Sequence, residues 1–470
     1  MRTTTTLLPT PISGPRSRAG TPRERGRRRG AAAIRPLALG LAALGLAAGA
    51  LGAGAGIAGA ATQQAHGSRS AHAKTVTNYP AYVGGHGKAN PKLSPIVIGA
   101  VNQQTAPAAP TPLWTTGVKV AVDYVNNHTG GIDGHPVKVV YCFIPTTVGS
   151  AAKCGQEFAN NSKVVAVIAG AIDVGMTAFE AALKPTKKPI FWDVSLSPVD
   201  ETYPYGFIWW NTDAYVNAPY GAFAKKIIHA KSVSLIYPSN IAAEVTQANT
   251  VYAALKYAGI HTIHKVGYTA TDANLAAPFQ AADVGHTTLV INVSSGGPNC
   301  SDVAHTLKSL GLATKVKVVT DVPCIAPTVA KADGGQLPHD WYYLTAQAMP
   351  GSNTKALTTV AKKIFAEYGK GPIYADAWAE MGISQILTIA KLDTKLLKAH
   401  KKITPETLFK AARAFKGPVL QGAPHLDCGG FKTPATCNDR DEFFQNTAPG
   451  VMKRLSTWIG PAKGFKPPRH

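Results

Sequence analysis

GVKVAVDYVNNHTGGIDGHPVKVV, running from Gly117 to Val140, spells out a helix, its stop and the strand that follows. Val118, Ala121, Val122 and Val125 recur at helical spacing and predict an amphipathic helix with one buried face. Gly130-Gly131 ends it, because a positive φ is cheap only for glycine, and Asp133-Gly134 turns the chain into a β-branched run from Val137. Upstream, Ile96-Val97-Ile98-Gly99-Ala100-Val101 reads as a strand. Strand, helix, strand in this order is a βαβ unit, which requires parallel pairing.

Working outward, the alternation persists. Helical Ser150–Asn160, strand Val164–Ala169, helical Ala178–Lys184 and strand Pro189–Val194 complete a first series. A second follows: helix Tyr215–His229, strand Ser232–Tyr237, helix Ala242–Ala258, strand Thr262–Val266, helix Leu275–Ala282, strand Thr288–Val293, helix Ser301–Leu310 and strand Lys315–Thr320. After Trp341–Thr345 the pattern turns helical at Thr354–Tyr368, Ala375–Asp393 and Pro405–Ala414. Two series of strands separated by helices predict an α/β protein of two doubly wound parallel-sheet lobes with a cleft between them.

The 470 residues, 45% hydrophobic and 16% charged, are enough for two or three cores and too apolar for disorder. Arg23, Arg25, Arg27, Arg28 and Arg29 precede an Ala/Leu/Gly run from Leu37 to Ala60, the pattern of a signal peptide over residues 1–61. An uncleaved anchor is the alternative, and no Cys follows the run to carry a lipid. Residues 62–94, rich in Gly, Pro, Ser, His and Lys, read as a flexible leader, with the fold beginning near Pro95. Nine Arg and one Glu lie before residue 62, so the remainder keeps 39 basic and 25 acidic residues. Its lysines are scattered, as solvated helix faces are, and no nucleic-acid partner is expected.

All six cysteines follow the signal: Cys142, Cys154, Cys300, Cys324, Cys428 and Cys437. An even count in an exported chain reads as disulfides, and of the 15 pairings open to six cysteines, the sequence neighbours 142–154, 300–324 and 428–437 are the economical choice. No C-x-x-C pair, H-E-x-x-H, G-x-S-x-G or P-loop occurs, and the match Gly54-Ala-Gly56-Ile-Ala-Gly59 to a dinucleotide loop lies inside the signal's apolar run. The chain is therefore expected to be no enzyme and to need no cofactor or metal.

The Gly117–Val140 stretch, with Val164-Val-Ala-Val-Ile-Ala-Gly170, Pro189-Ile-Phe-Trp-Asp-Val-Ser195, Ser232-Val-Ser-Leu-Ile-Tyr237 and Leu307-Lys-Ser-Leu-Gly-Leu312, resembles the branched-chain amino-acid-binding family of ABC transporters. The resemblance covers roughly residues 95–460 and implies the type I periplasmic-binding-protein fold. By that analogy residues 95–213 and 347–425 form lobe I, 214–346 and 426–460 form lobe II, and 461–470 are a basic tail. It implies an extracytoplasmic binder that closes on a small molecule and presents it to an ABC permease, acting as a monomer. A secreted sensor on the same fold, and a surface protein with a degenerate cleft, are the rival readings.

Ligands of open parallel sheets bind beyond the strands' carboxyl ends. Candidate ligand-binding residues are accordingly Gln104, Asp173, Val174, Ser195, Asn240, Ser294 and Asp321. Trp114 and Tyr374 join them because they resemble the family's aromatic wall. The departures from the family pattern are equally informative: Asp173-Val174-Gly175 stands where a Ser-rich loop receives an α-carboxylate, Ile241-Ala242 replaces an aromatic, and Asp321 stands in, with a shift in register, for the acidic residue that meets the α-ammonium.

Overall fold

The computed structural model describes residues 76–104, 111–145, 148–172, 174–212, 214–272, 274–294, 296–346, 355–371, 376–448 and 451–468. The signal reading of residues 1–61 lies outside them. Among the described residues no helix is long and apolar enough to cross a membrane.

The first sheet contains β1 (Ile96–Asn102), β2 (Val137–Phe143), β3 (Val164–Ala169), β4 (Ile190–Val194) and β5 (Gly206–Asn211), ordered β2-β1-β3-β4-β5 and parallel throughout. Side chains alternate between its faces, as the period of two demands. Ile98, Ala100, Ile168, Phe191, Phe207 and Trp209 face one helical layer, while Val97, Val101, Val167, Ile190, Trp192 and Ile208 face the other. The predicted opening helix is Pro112–His128, and Gly130 and Gly131 follow it with φ of 76° and 69°.

The second sheet adds β6 (Ser232–Pro238), β7 (Thr262–Tyr268), β8 (Leu289–Asn292), β9 (Val318–Asp321), β10 (Tyr342–Thr345), β11 (Glu442–Ala448) and β12 (Val451–Arg454) in the order β12-β11-β10-β9-β8-β6-β7. β11 pairs antiparallel with β10 and β12, and the remaining pairs are parallel. Its two faces carry separate cores, Ile236, Val290 and Val318 on one and Leu235, Ile291 and Val319 on the other.

The 22-residue helix Ala377–Lys398 packs against Pro112–His128 on the first sheet. The two backbones touch: a Cβ on Gly117 would sit 1.9 Å from the Ala379 carbonyl oxygen, and one on Gly382 would sit 2.5 Å from that of Trp114. The three disulfides join Cys142 to Cys154, Cys300 to Cys324 and Cys428 to Cys437.

Several expectations need correction. The fold begins before Pro95: Tyr79, Tyr82 and Val83, on a short helix Tyr79–Val83, are buried against the Ala377–Lys398 helix. The Tyr82 hydroxyl donates to the Pro418 carbonyl at 2.9 Å and accepts from the Leu420 N–H at 3.1 Å. Two tyrosines and a valine bury more apolar surface than a leader's composition suggests.

The boundary at 426 also moves. Leu426, Cys428 and Cys437 pack into the first lobe's core, and the disulfide loop pairs with the edge of β5 through Ile208 N–H to Ala435 at 2.8 Å and Cys437 N–H to Ile208 at 3.2 Å. The chain joins the second sheet only at Asp441. The tail past 460 is docked, with the Tyr257 hydroxyl donating to the Lys463 carbonyl at 2.9 Å. The helix expected over Tyr215–His229 is shortened to Tyr220–Phe223 plus a π-turn over Ala224–Ile228, since Pro219 disfavours helical geometry in the residue before it.

Candidate functional site

The carboxyl ends of both sheets converge on one cavity. From the first sheet come Ala171 after β3, Val194 and Leu196 at the end of β4, and Trp210 and Asn211 at the end of β5. From the second come Ser294 after β8, Asp321 to Pro323 at the end of β9, and Leu344 to Ala346 at the end of β10. Val216, then Glu244 and Gln247 from the first turns of Ala242–Tyr257, and Trp378 and Met381 from the first turns of Ala377–Lys398, close the sides.

The room open to the centres of water molecules is about 70 Å³. One water needs roughly 10–15 Å³ by the same measure, so the space suits a molecule of roughly five to seven non-hydrogen atoms. Most of the wall is apolar, with two tryptophan rings in it, and a few polar groups break it, as in small-molecule sites generally.

Those polar groups are held in place. Asp321 is buried and accepts a hydrogen bond from the Ser294 hydroxyl at 2.6 Å. Burial pushes its carboxyl up to about 6, against the opposing pull of the Ser294 hydroxyl and backbone donors. The Asn217 amide donates to Gln247 Oε1 at 2.9 Å, which orients the Gln247 amide. Asn211 donates to the buried Asp441, whose carboxyl burial and the neighbouring Asp439 raise well above the usual range. Asp376 caps the helix that carries Trp378 by accepting from the Ala379 N–H at 3.0 Å; burial raises it to about 6. Among the described residues no group of three or more His, Cys, Asp or Glu is arranged to hold a metal ion.

Of the residues proposed from sequence, Ser294 and Asp321 line this cavity. Others lie elsewhere. Trp114 is fully buried between the two packed helices and donates through Nε1 to Gln385 at 3.0 Å, a core position. Gln104 accepts from the Thr115 hydroxyl at 2.8 Å and ties the loop after β1 to its own helix. Ser195 lies between two lining residues but donates to the Ser197 carbonyl at 2.9 Å, away from the cavity. Asn240 is exposed and accepts from the Ala270 N–H at 2.8 Å, a turn role. Val174 is half-buried ahead of the Met176–Leu183 helix and does not line the cavity. Asp173 and Tyr374 lie outside the described residues.

The sequence reading missed Trp210 and Asn211 because β5 was not recognised. Its signal was present: GFIWWN is a continuous apolar run, the mark of a strand buried on both faces. It also missed Trp378, four positions beyond the proposed Tyr374, along with Glu244, Gln247 and Thr345, whose side chains reach the cavity only through the tertiary fold.

With this geometry in hand, likeness to known proteins can be placed. A leucine-binding protein from Thermotoga maritima superposes with a TM-score of 0.60 at 15% identity, covering 78% of this chain and 99% of its own. A fatty acid ABC transporter substrate-binding protein from Thermomonospora curvata gives 0.62 at 15%, covering 82% and 97%. An ABC transporter solute-binding protein from Rhodopseudomonas palustris, in complex with p-hydroxybenzoic acid, gives 0.61 at 16%, covering 78% and 98%. At such identities these likenesses establish the type I periplasmic-binding-protein fold. No curated protein matches the chain in sequence. The sequence model of the periplasmic binding proteins, however, matches residues 95–428, most of the chain, and with both sheets opening onto one shared cavity it identifies this chain as a member of the periplasmic binding protein family.

Proposed function

We propose that the chain is an extracytoplasmic solute-binding protein that captures a small molecule, an amino acid or a related compound, between its two lobes and presents it to an ABC permease. The observation that carries this reading is the cavity bounded by strand ends of both sheets. A ligand there touches both lobes at once, so its full contact set exists only when they are together. Binding then draws an open–closed equilibrium toward the closed form, which a membrane partner can distinguish from the open one. The family is one of solute binders rather than enzymes and is extracytoplasmic. The basic, then apolar, amino-terminal stretch supports export of this chain.

Of the solved structures on the same fold, two are named for leucine and for fatty acids, and one is a complex with p-hydroxybenzoic acid. The fold therefore leaves the cargo to the side chains of the cavity. The test is thermal unfolding of the oxidised protein against a panel of branched-chain, aromatic, polar and acidic amino acids, amides, amines and small aromatic acids. A ligand at 100 times its dissociation constant stabilises the native state by about 2.7 kcal/mol. Silence across the panel from a well-folded protein would reject the reading.

A further inference from the structure

Behind the first lobe's share of the cavity wall lie three buried carboxyl groups. Glu180 stands on the Met176–Leu183 helix, and Asp200 and Glu201 on the short Pro198–Thr202 helix. The Glu180 and Asp200 carboxyls are hydrogen-bonded to each other. Two carboxylates offer acceptors only, so this contact exists only while the pair holds a proton. Burial raises all three carboxyls, Glu180 to about 7 and Asp200 well above the usual range with Glu180 beside it.

The short helix reaches the site in two ways. Asp200 is within hydrogen-bond reach of Ser195, which stands between the wall residues Val194 and Leu196. Glu201 accepts from the Ala214 N–H at 3.1 Å, where the chain leaves β5 for the second lobe, and its carbonyl accepts from the Ala435 N–H at 3.1 Å in the returning segment. Among the described residues the other ionisable neighbours are Lys184, one turn on from Glu180, Tyr203, and Tyr215 beside Glu201. The Val148–Asn160 helix, packed against Met176–Leu183, adds Lys153 and Glu157, which are exposed and paired with each other at 3.9 Å.

We infer that Glu180 and Asp200 form a proton-held latch on the first-lobe wall, fixing the Pro198–Thr202 helix and with it Leu196 and the crossing gripped by Glu201. Loss of the shared proton leaves like charges buried together, and repulsion frees the helix. Carboxyls that bind protons more tightly in the native state stabilise it in acid, and that contribution is lost as pH rises through their native values. The latch is therefore closed below neutrality and opens above it. An occupant of the cavity accordingly binds more weakly at higher pH; this consequence rests on the solute-binding reading, whereas the latch itself does not.

The experiment is hydrogen–deuterium exchange on the full disulfide-bonded chain without ligand, with rates corrected for the intrinsic pH dependence of amide exchange. Between about pH 6 and pH 8, protection of residues 194–216 should fall roughly tenfold more than that of β1 and the Pro112–His128 helix. Glu180→Gln cannot ionise, and its amide can donate to the Asp200 carboxylate, so the extra fall should vanish while protection is kept. Asp200→Asn is the second variant, with the same expected result should Glu180→Gln not fold. A wild-type profile over residues 194–216 that parallels the reference segments would overturn the inference. So would an unchanged profile in a folded variant, or protection lost at every pH in both, which would make the carboxyls merely structural. None of these outcomes touches the solute-binding reading, which stands or falls on the ligand panel.

Discussion

Gly117→Ala adds one methyl group at the tightest contact between the two helices that brace the first lobe. The new Cβ would lie 1.9 Å from the Ala379 carbonyl oxygen and 2.7 Å from its carbon. Non-bonded contacts settle near 3.5 Å, so the helices must part by about 1.5 Å or distort. Overpacking of this kind costs about 1–3 kcal/mol, against which alanine's better helix propensity returns about 0.8–1.0 kcal/mol. The net expectation is a loss of up to about 2 kcal/mol. Because Ala379 follows Trp378, the displaced helix also carries a cavity wall with it, and ligand affinity falls too. Gly149→Ala is the matched control: it is helical, and its Cβ would meet nothing within 4 Å. Urea unfolding followed by far-UV circular dichroism decides the matter. Gly149→Ala should unfold at the wild-type midpoint or above it, and Gly117→Ala clearly below. A Gly117→Ala midpoint equal to or above wild type would refute the close-packed crossing.

Three further outcomes are expected. Asp393 is fully buried in the long helix, neither carboxylate oxygen has a hydrogen-bond partner among the described residues, and burial raises its carboxyl well above the ordinary range. A native state that holds the proton more tightly than the unfolded chain is most stable below the unfolded value near 4 and loses stability as pH rises through the native one. Urea midpoints from pH 5 to 8 should therefore fall for the wild type and fall less steeply in Asp393→Asn, the other raised carboxyls supplying the remaining slope; an unchanged slope would show that Asp393 does not hold the proton. Replacing cysteine pairs by serine should cost about 3.4 kcal/mol for 300–324, about 2.8 for 142–154 and about 2.6 for 428–437, following loop length over separations of 24, 12 and 9 residues; denaturant titration of the three variants checks the order. Tyr82→Phe should cost about 0.5–1.5 kcal/mol, because it removes the hydroxyl that donates to the Pro418 carbonyl and leaves the Leu420 N–H only its longer contact to Thr388 at 3.4 Å; a change under about 0.5 kcal/mol would show that these hydrogen bonds add nothing to the docking of the amino-terminal helix.

How far the sequence could be read depended on whether the signal was local. The Pro112–His128 helix, its double-glycine stop and β2 were legible because periodicity and turn chemistry act over a few residues. The same logic found the strands whose carboxyl ends carry Ser294 and Asp321. β5 and β11 escaped because GFIWWN and EFFQNTA do not alternate, and β11 joins the sheet beside β10, which lies far back in the sequence. Trp114 shows the limit for single residues. Its place on an apolar helical face is equally compatible with a cleft and with a core, and only the arrival of Gln385 from 271 residues away decides for the core. The cavity itself is non-local throughout, assembled from the ends of at least six strands and the starts of two helices, so no single motif announces it.

The central claim is that the ligand lies between the two sheets and touches both. The most direct measurement is a crystal structure of the protein with whichever compound gives the largest thermal shift. The account predicts ligand density in contact with Trp210 or Trp378 from the first lobe and with Asp321 from the second. Density confined to one lobe or to the outer surface, with this cavity left to water, would contradict it.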